Sequence, residues 1–172
     1  MQIRPAEPAD LPEIQAIYAH HVLHGTGSFE EQPPSVEAMG ERWQAVVRLG
    51  WSWLVAASGT GILGFAYFRQ LRSRSAYRFS VEDSVYVRED ARGQGVGKAL
   101  LAQLLADAEA HGFRQMVAVI GDADNLGSIG VHASLGFQRV GTLRATGLKF
   151  GRWLDSIYMQ RPLGEGDSTL PG

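Results

Sequence analysis

The chain has 172 residues, which is one domain's worth at roughly 100–200 residues per domain, and its 45% hydrophobic content can fill a single buried core. Sixteen Lys and Arg against 18 Asp and Glu leave a formal charge of -2, which argues against nucleic acid as a partner, since a basic surface would show in the sum. The absence of Cys excludes disulfides, thiolate metal sites and a cysteine nucleophile, and fits a reducing compartment.

From Met1 to Asp10 the chain is polar and acidic where a signal peptide would be basic and then apolar. No apolar run approaches the ~18 residues of a membrane span, so a soluble cytoplasmic protein without a membrane partner is expected. Residues 2–6 read as a short extended segment. Asp10 followed by Glu13 marks an acidic helix start, and Leu11, Ile14, Ile17, Tyr18 and Val22 share one face, predicting a helix to about His24. A Gly/Pro-bounded loop covers 25–34, and Ser35 opens a second helix ending near Gly50. Residues 51–57 and 62–68, separated by a turn, read as a β-hairpin, followed by a basic connection and a strand over 78–87. A glycine-rich turn leads into a helix to about His111, with Val96, Leu100, Leu101, Leu104, Leu105 and Ala108 as its apolar stripe. A buried strand over 115–120 and a short helix over 126–135 come next, then strands over 138–143 and 148–160. One α/β (α+β) domain is expected over 1–162, and residues 163–172 have the composition of a disordered tail.

The informative stretch is Arg92-Gly93-Gln94-Gly95-Val96-Gly97, between a strand and a helix, where free backbone N–H groups and the helix dipole favour an anion such as pyrophosphate. A Walker A loop would need glycine at position 92 and Ser or Thr at 99, where the chain has Arg92 and Ala99. A dinucleotide fingerprint would need a third glycine at position 98, which is Lys98.

This loop resembles the Arg/Gln-x-x-Gly-x-Gly/Ala signature of the GNAT superfamily of acetyl-CoA-dependent N-acetyltransferases, with 84–87 as its central strand and Asn125 to Phe137 as its downstream helix motif. Within that superfamily, segments 28–30 with Pro33 and Pro34, 76–87, 116–120 and 149–155 are similar to the phosphinothricin and methionine sulfoximine acetyltransferases. The resemblance implies a mixed, mostly antiparallel sheet of about seven strands with about four helices, its central strands parting into a V-shaped cleft for acetyl-CoA. It also implies that the backbone of Val85, Tyr86 and Val87 pairs with the pantetheine arm. Arg92, Gly93, Gln94, Gly95, Val96, Gly97 and Lys98 would hold the pyrophosphate, Asn125 and Ser128 would touch the pantetheine side, and His132 would lie near the sulfur. A homodimer is the implied assembly.

Acetyl transfer to an amine needs a base, because an ammonium with a pKa of about 10.4 must lose a proton before it can attack. Glu82, three residues before the central stretch, is the candidate, and the matching glutamate is the base implied by the resemblance; a salt bridge to a nearby arginine is the alternative reading. Asp83 points to the opposite face of a regular strand and is the weaker choice. His132 fills the slot where many members of the superfamily carry a tyrosine acid, and it either donates a proton or only bonds the cofactor. His20, His21, His24 and His111 read as surface or packing residues, and no metal is expected because His20 and His24 lack a third ligand. Arg69, Arg72, Arg74 and Arg78 crowd the connection into the Glu82 strand and could bind the acid group of a small amino acid. By resemblance, Phe29, Glu30, Lys149 and Trp153 complete that pocket.

Overall fold

The computed structural model describes residues 1–172. Seven strands form one sheet in the order β1-β2-β3-β4-β5-β7-β6. They are β1 (Gln2–Pro5), β2 (Trp53–Ser58), β3 (Gly61–Gln70), β4 (Ser80–Val87), β5 (Gln115–Gly121), β6 (Gln138–Lys149) and β7 (Arg152–Pro162). Every neighbouring pair is antiparallel except β4 and β5.

Helices cover both faces, which is why the central strands read as unbroken apolar runs rather than alternating ones. On one face, α1 (Leu11–His24) and α2 (Val36–Val47) bury Ile14, Ile17, Val22 and Met39 against Trp53, Val55 and Phe65. On the other, α3 (Val96–Ala110) lays Leu100, Leu101, Leu104 and Leu105 against Leu54, Phe68, Val81, Met116 and Ile157. The last helix, α4 (Leu126–Ser134), is capped by the Asn125 side chain, which accepts from the Ser128 N–H.

Two expectations need correction. The final strands do not break between residues 143 and 148. β6 runs on to Lys149 through an irregularity at Ala145 (φ 54°), and the hairpin turns at Phe150 and Gly151, both in the left-handed region (φ 52° and 71°). Gly147, which falls between the two expected strands, is a strand residue. It has no side chain because the Phe29 ring stands where a Cβ would be. The C-terminal segment is also packed further than its composition suggests: Leu163 is buried and donates its N–H to Arg114, whose guanidinium in turn donates to the Gly166 carbonyl and Thr169 Oγ1.

Candidate acetyl-transfer site

The parallel seam between β4 and β5 is three residue pairs long: Ser80 with Gln115, Val81 with Met116 and Glu82 with Val117. Beyond it β5 stays with β7 as far as Gly121, while β4 stays with β3 as far as Val87. From Asp83 onward the β5-facing edge of β4 therefore has no strand partner, and a cleft of about 1660 Å³ opens there. That exceeds the ~300–1,000 Å³ of an ordinary ligand pocket and leaves room for a long ligand with a second molecule beside it.

One arm of the cleft is a cradle of backbone donors. Gly93 and Gly95 take left-handed φ of 73° and 80°, which turns the chain sharply into α3, and a Cβ at either position would meet nothing within 4 Å. The N–H groups from Gly93 to Lys98 have no acceptor in the protein, and they converge at the positive end of a fifteen-residue helix, a fit for a diphosphate. Arg92, Gly93, Gly95, Val96, Gly97 and Lys98 line this arm with Asn125 and Ser128 opposite. Gln94 does not, because its amide turns back to the Asp90 carbonyl at 2.8 Å and braces the loop. At Gly97, where α3 passes β4, a Cβ would make only an ordinary contact, 3.4 Å from Val87 Cγ2. Val85, Tyr86 and Val87 line the cleft, but the Val87 carbonyl is already taken: His21 Nε2 donates to it at 2.8 Å. Burial, the leading influence, holds that histidine below its ordinary pKa.

The two neighbouring carboxylates of β4 go to opposite faces. Glu82 faces the α1/α2 side with Ser84 and Tyr86, and its side chain is 15% exposed. Its nearest cations are Arg69 at 3.5 Å and Arg72 at 3.6 Å, and it accepts no hydrogen bond. Those separations are ion-pair distances without hydrogen-bond geometry, so the lone pairs of the carboxylate stay open to a proton. Asp83 is buried on the α3/α4 side, and both of its oxygens lie 3.2 Å from His132 Nε2. His132 Nδ1 is 2.7 Å from the Ser128 carbonyl. A carbonyl and a carboxylate both accept, so the ring is held with a proton on each nitrogen. Burial opposes that charge, but the Asp83 carboxylate and the Ser128 carbonyl outweigh it and raise the pKa above the usual histidine value. Both N–H groups are committed, so the resting geometry offers none to a departing thiolate.

The other arm of the cleft is aromatic and charged. Tyr18, Phe29, Glu30, Arg42, Tyr67, Arg69 and Glu82 line it. The Phe29 ring is wedged between the backbones of Gly121 and Gly147. Its loop is pinned from below by Lys149, whose Nζ donates to Gly25 and Ser28 carbonyls at 2.9 and 2.7 Å. Lys149 is thus a buried clamp on the loop rather than a lining residue, and burial lowers its pKa. Glu30 is engaged by Arg42 in a two-pronged ion pair, at 2.6 and 3.1 Å. Arg74 and Arg78 do not line the cleft, and Arg78 lies over the Phe79 ring at 4.8 Å. Trp153, 65% exposed on β7, is also outside it.

The structure thus gathers Glu82, Arg69, Arg72, Phe29 and Glu30, and it leaves Arg74, Arg78, Lys149 and Trp153 apart. It adds Asp83, His21 and Arg42, which sequence reasoning did not select. A signal for Asp83 existed: two successive strand carboxylates cannot share a partner, and the inner one needs a buried cation or donor. Arg42 lies on a helix face with nothing in the sequence to connect it to Glu30.

A seven-stranded mixed sheet split at its parallel seam, with a glycine cradle at a helix N-terminus, defines a class of acyl-transferring enzymes. Residues 15–137 match the model of the acetyltransferase (GNAT) family, and the chain belongs to that family. It is an N-acetyltransferase by its relatives. It is 51% identical to a phosphinothricin N-acetyltransferase of Alcaligenes faecalis over 98% of this chain and 86% of that protein. It is 43% identical to an L-methionine sulfoximine/L-methionine sulfone acetyltransferase of Pseudomonas paraeruginosa, over 92% of both chains. Among solved structures, a phosphinothricin acetyltransferase from Sinorhizobium meliloti in complex with AcCoA superposes with a TM-score of 0.97 at 48% identity, over 99% of this chain and 92% of that one.

Proposed function

We infer that the protein transfers an acetyl group from acetyl-CoA to the free amine of a small amino acid analogue of the phosphinothricin, methionine sulfoximine or methionine sulfone type. The observation that carries this reading is the Glu82 carboxylate, which accepts no hydrogen bond and stands where β4 leaves β5, beside two arginines. Acetyl-CoA supplies a thioester whose carbonyl carbon bonds to the amine nitrogen as the C–S bond breaks, the sulfur leaving as thiolate and taking up the proton that the newly acylated nitrogen sheds.

The chain does the rest. Arg92 and the N–H groups of Gly93 to Lys98 hold the diphosphate, and Asn125 and Ser128 face them from α4. The unpaired edge of β4 at Val85 and Tyr86 aligns the acyl end. Glu82 takes the proton of the ammonium, directly or through a water. Arg69 and Arg72 hold the acid group of the acceptor and disfavour polycations by charge. A thiolate with a pKa near 8.5 needs little help in leaving, which agrees with an occupied His132 ring. The enzyme works in the cytoplasm as a homodimer. Leu148 and its cross-strand partner Trp153, both exposed on the β6–β7 hairpin, with exposed Phe150 at its turn, offer an apolar surface for pairing.

The test is thiol release from acetyl-CoA with these three acceptors, ordinary amino acids and polyamines. Saturable turnover of the first group is expected, and Glu82→Gln should lower kcat by about 10²–10⁴. An unchanged rate in that variant removes Glu82 from the proton transfer, and preference for a polycation overturns the acceptor assignment.

A further inference from the structure

The aspartate next to Glu82 is buried, charged and not required by the chemistry above. Its place explains it. Asp83 is the first residue of β4 past the last rung shared with β5, and its partner His132 projects from α4, which follows β5 in the chain. The ion pair therefore spans the cleft at its apex: one end is on the wall that stays with β3, the other on the helix that faces the cofactor cradle. The ring continues the link by donating to the Ser128 carbonyl in the first turn of α4, next to the Asn125 cap. Phe137 holds the ring edge-on at 5.0 Å. Among the groups on β4, α4 and the turn carrying Phe137, Asp83 is the one charged side chain that acts on it.

We propose that Asp83 is a positioning residue of the acetyl-transfer site: through the His132 ring it ties α4 to β4 where the strands part, fixing the spacing of the two walls around acetyl-CoA and the setting of Glu82. The proposal rests on the reading of this cleft as the acetyl-CoA site. The tie depends on two ring protons. Loss of the Nε2 proton points a lone pair at a carboxylate, and the link opens. A raised histidine pKa means the tie is complete at pH values below the ordinary histidine range and is lost as pH rises through the raised value.

Calorimetric titration of acetyl-CoA into the native protein, Asp83→Asn, His132→Gln and the doubly substituted protein, from pH 6 to 9, tests this without any acceptor. Native affinity should weaken toward high pH, and Asp83→Asn should weaken it at pH 6.5 by about tenfold, the scale of a small misplacement of binding groups. The double variant leaves no buried lone charge. It should bind better than His132→Gln alone and lose the pH dependence, with the ligand's own phosphate titration common to all four proteins. Additive effects, or native-like binding in Asp83→Asn at every pH, overturn the proposal. Nitrogen NMR of His132 supplies a readout free of ligand, in which a neutral ring at pH 6 also overturns it. An enzyme that binds acetyl-CoA in this way but acetylates none of the amines refutes the acceptor assignment and leaves the tie standing.

Discussion

Phe29 keeps its place because two residues opposite it have no side chains. Gly121 on β5 and Gly147 on β6 leave a gap the width of a ring, and a methyl group on either would collide with the phenyl carbons. Gly147→Ala should therefore displace the ring, lowering stability by about 1–3 kcal/mol, the usual cost of overpacking. It should also raise KM for the acceptor more than KM for acetyl-CoA. Pairing it with Phe29→Ala should recover most of the stability, a coupling that a double-mutant cycle in thermal melts would read. Additive losses would mean the alanine methyl meets something other than the ring.

Among the elements, α3 does two jobs with different parts of its length. Its body anchors the larger core through Leu100, Leu101, Leu104 and Leu105, all fully or nearly fully buried. Its mouth presents free N–H groups, and Gly95 as N-cap makes that possible at φ 80°. Gly95→Ala meets no steric obstacle in the protein, so its effect is local. The left-handed conformation costs about 1–2 kcal/mol for a residue with a Cβ, and relief of that strain would turn the amides away from their common focus. Affinity for acetyl-CoA, measured by calorimetry, should fall about tenfold while the melting temperature shifts by only a few degrees. A large loss of stability with intact binding would contradict this division of labour.

For the molecule as a whole, the exposed apolar hairpin should seat a second copy: sedimentation is expected to give twice the 18.7 kDa chain, and Trp153→Lys with Leu148→Lys should return the monomer. A monomeric native protein would leave that patch unexplained. The order of elements and the glycine loop were legible in the sequence because period and punctuation are local properties: the stripe of α3 and the alternating glycines before it need no tertiary information. Less legible was anything set by two distant segments meeting. Gly147 falls outside both expected strands, and its role shows only when Phe29 is placed beside it. Arg74 and Arg78 read as part of a cluster with Arg69 and Arg72, yet the connection curls and only two of the four guanidiniums reach Glu82. The Asp83–His132 pair spans 49 positions and shows itself only when α4 is folded against β4.

The three-rung seam also bears on how the molecule moves. Strands β1 to β4 form one antiparallel ribbon and β5 to β7 another, so the sheet is two stiff plates joined by a short spine rather than a single uniform surface. Antiparallel ladders on either side resist bending, and the spine is where flexing concentrates. A molecule bound across both plates acts as a splint, and the amides of Val81 and Val117 should exchange their hydrogens more slowly when it is in place.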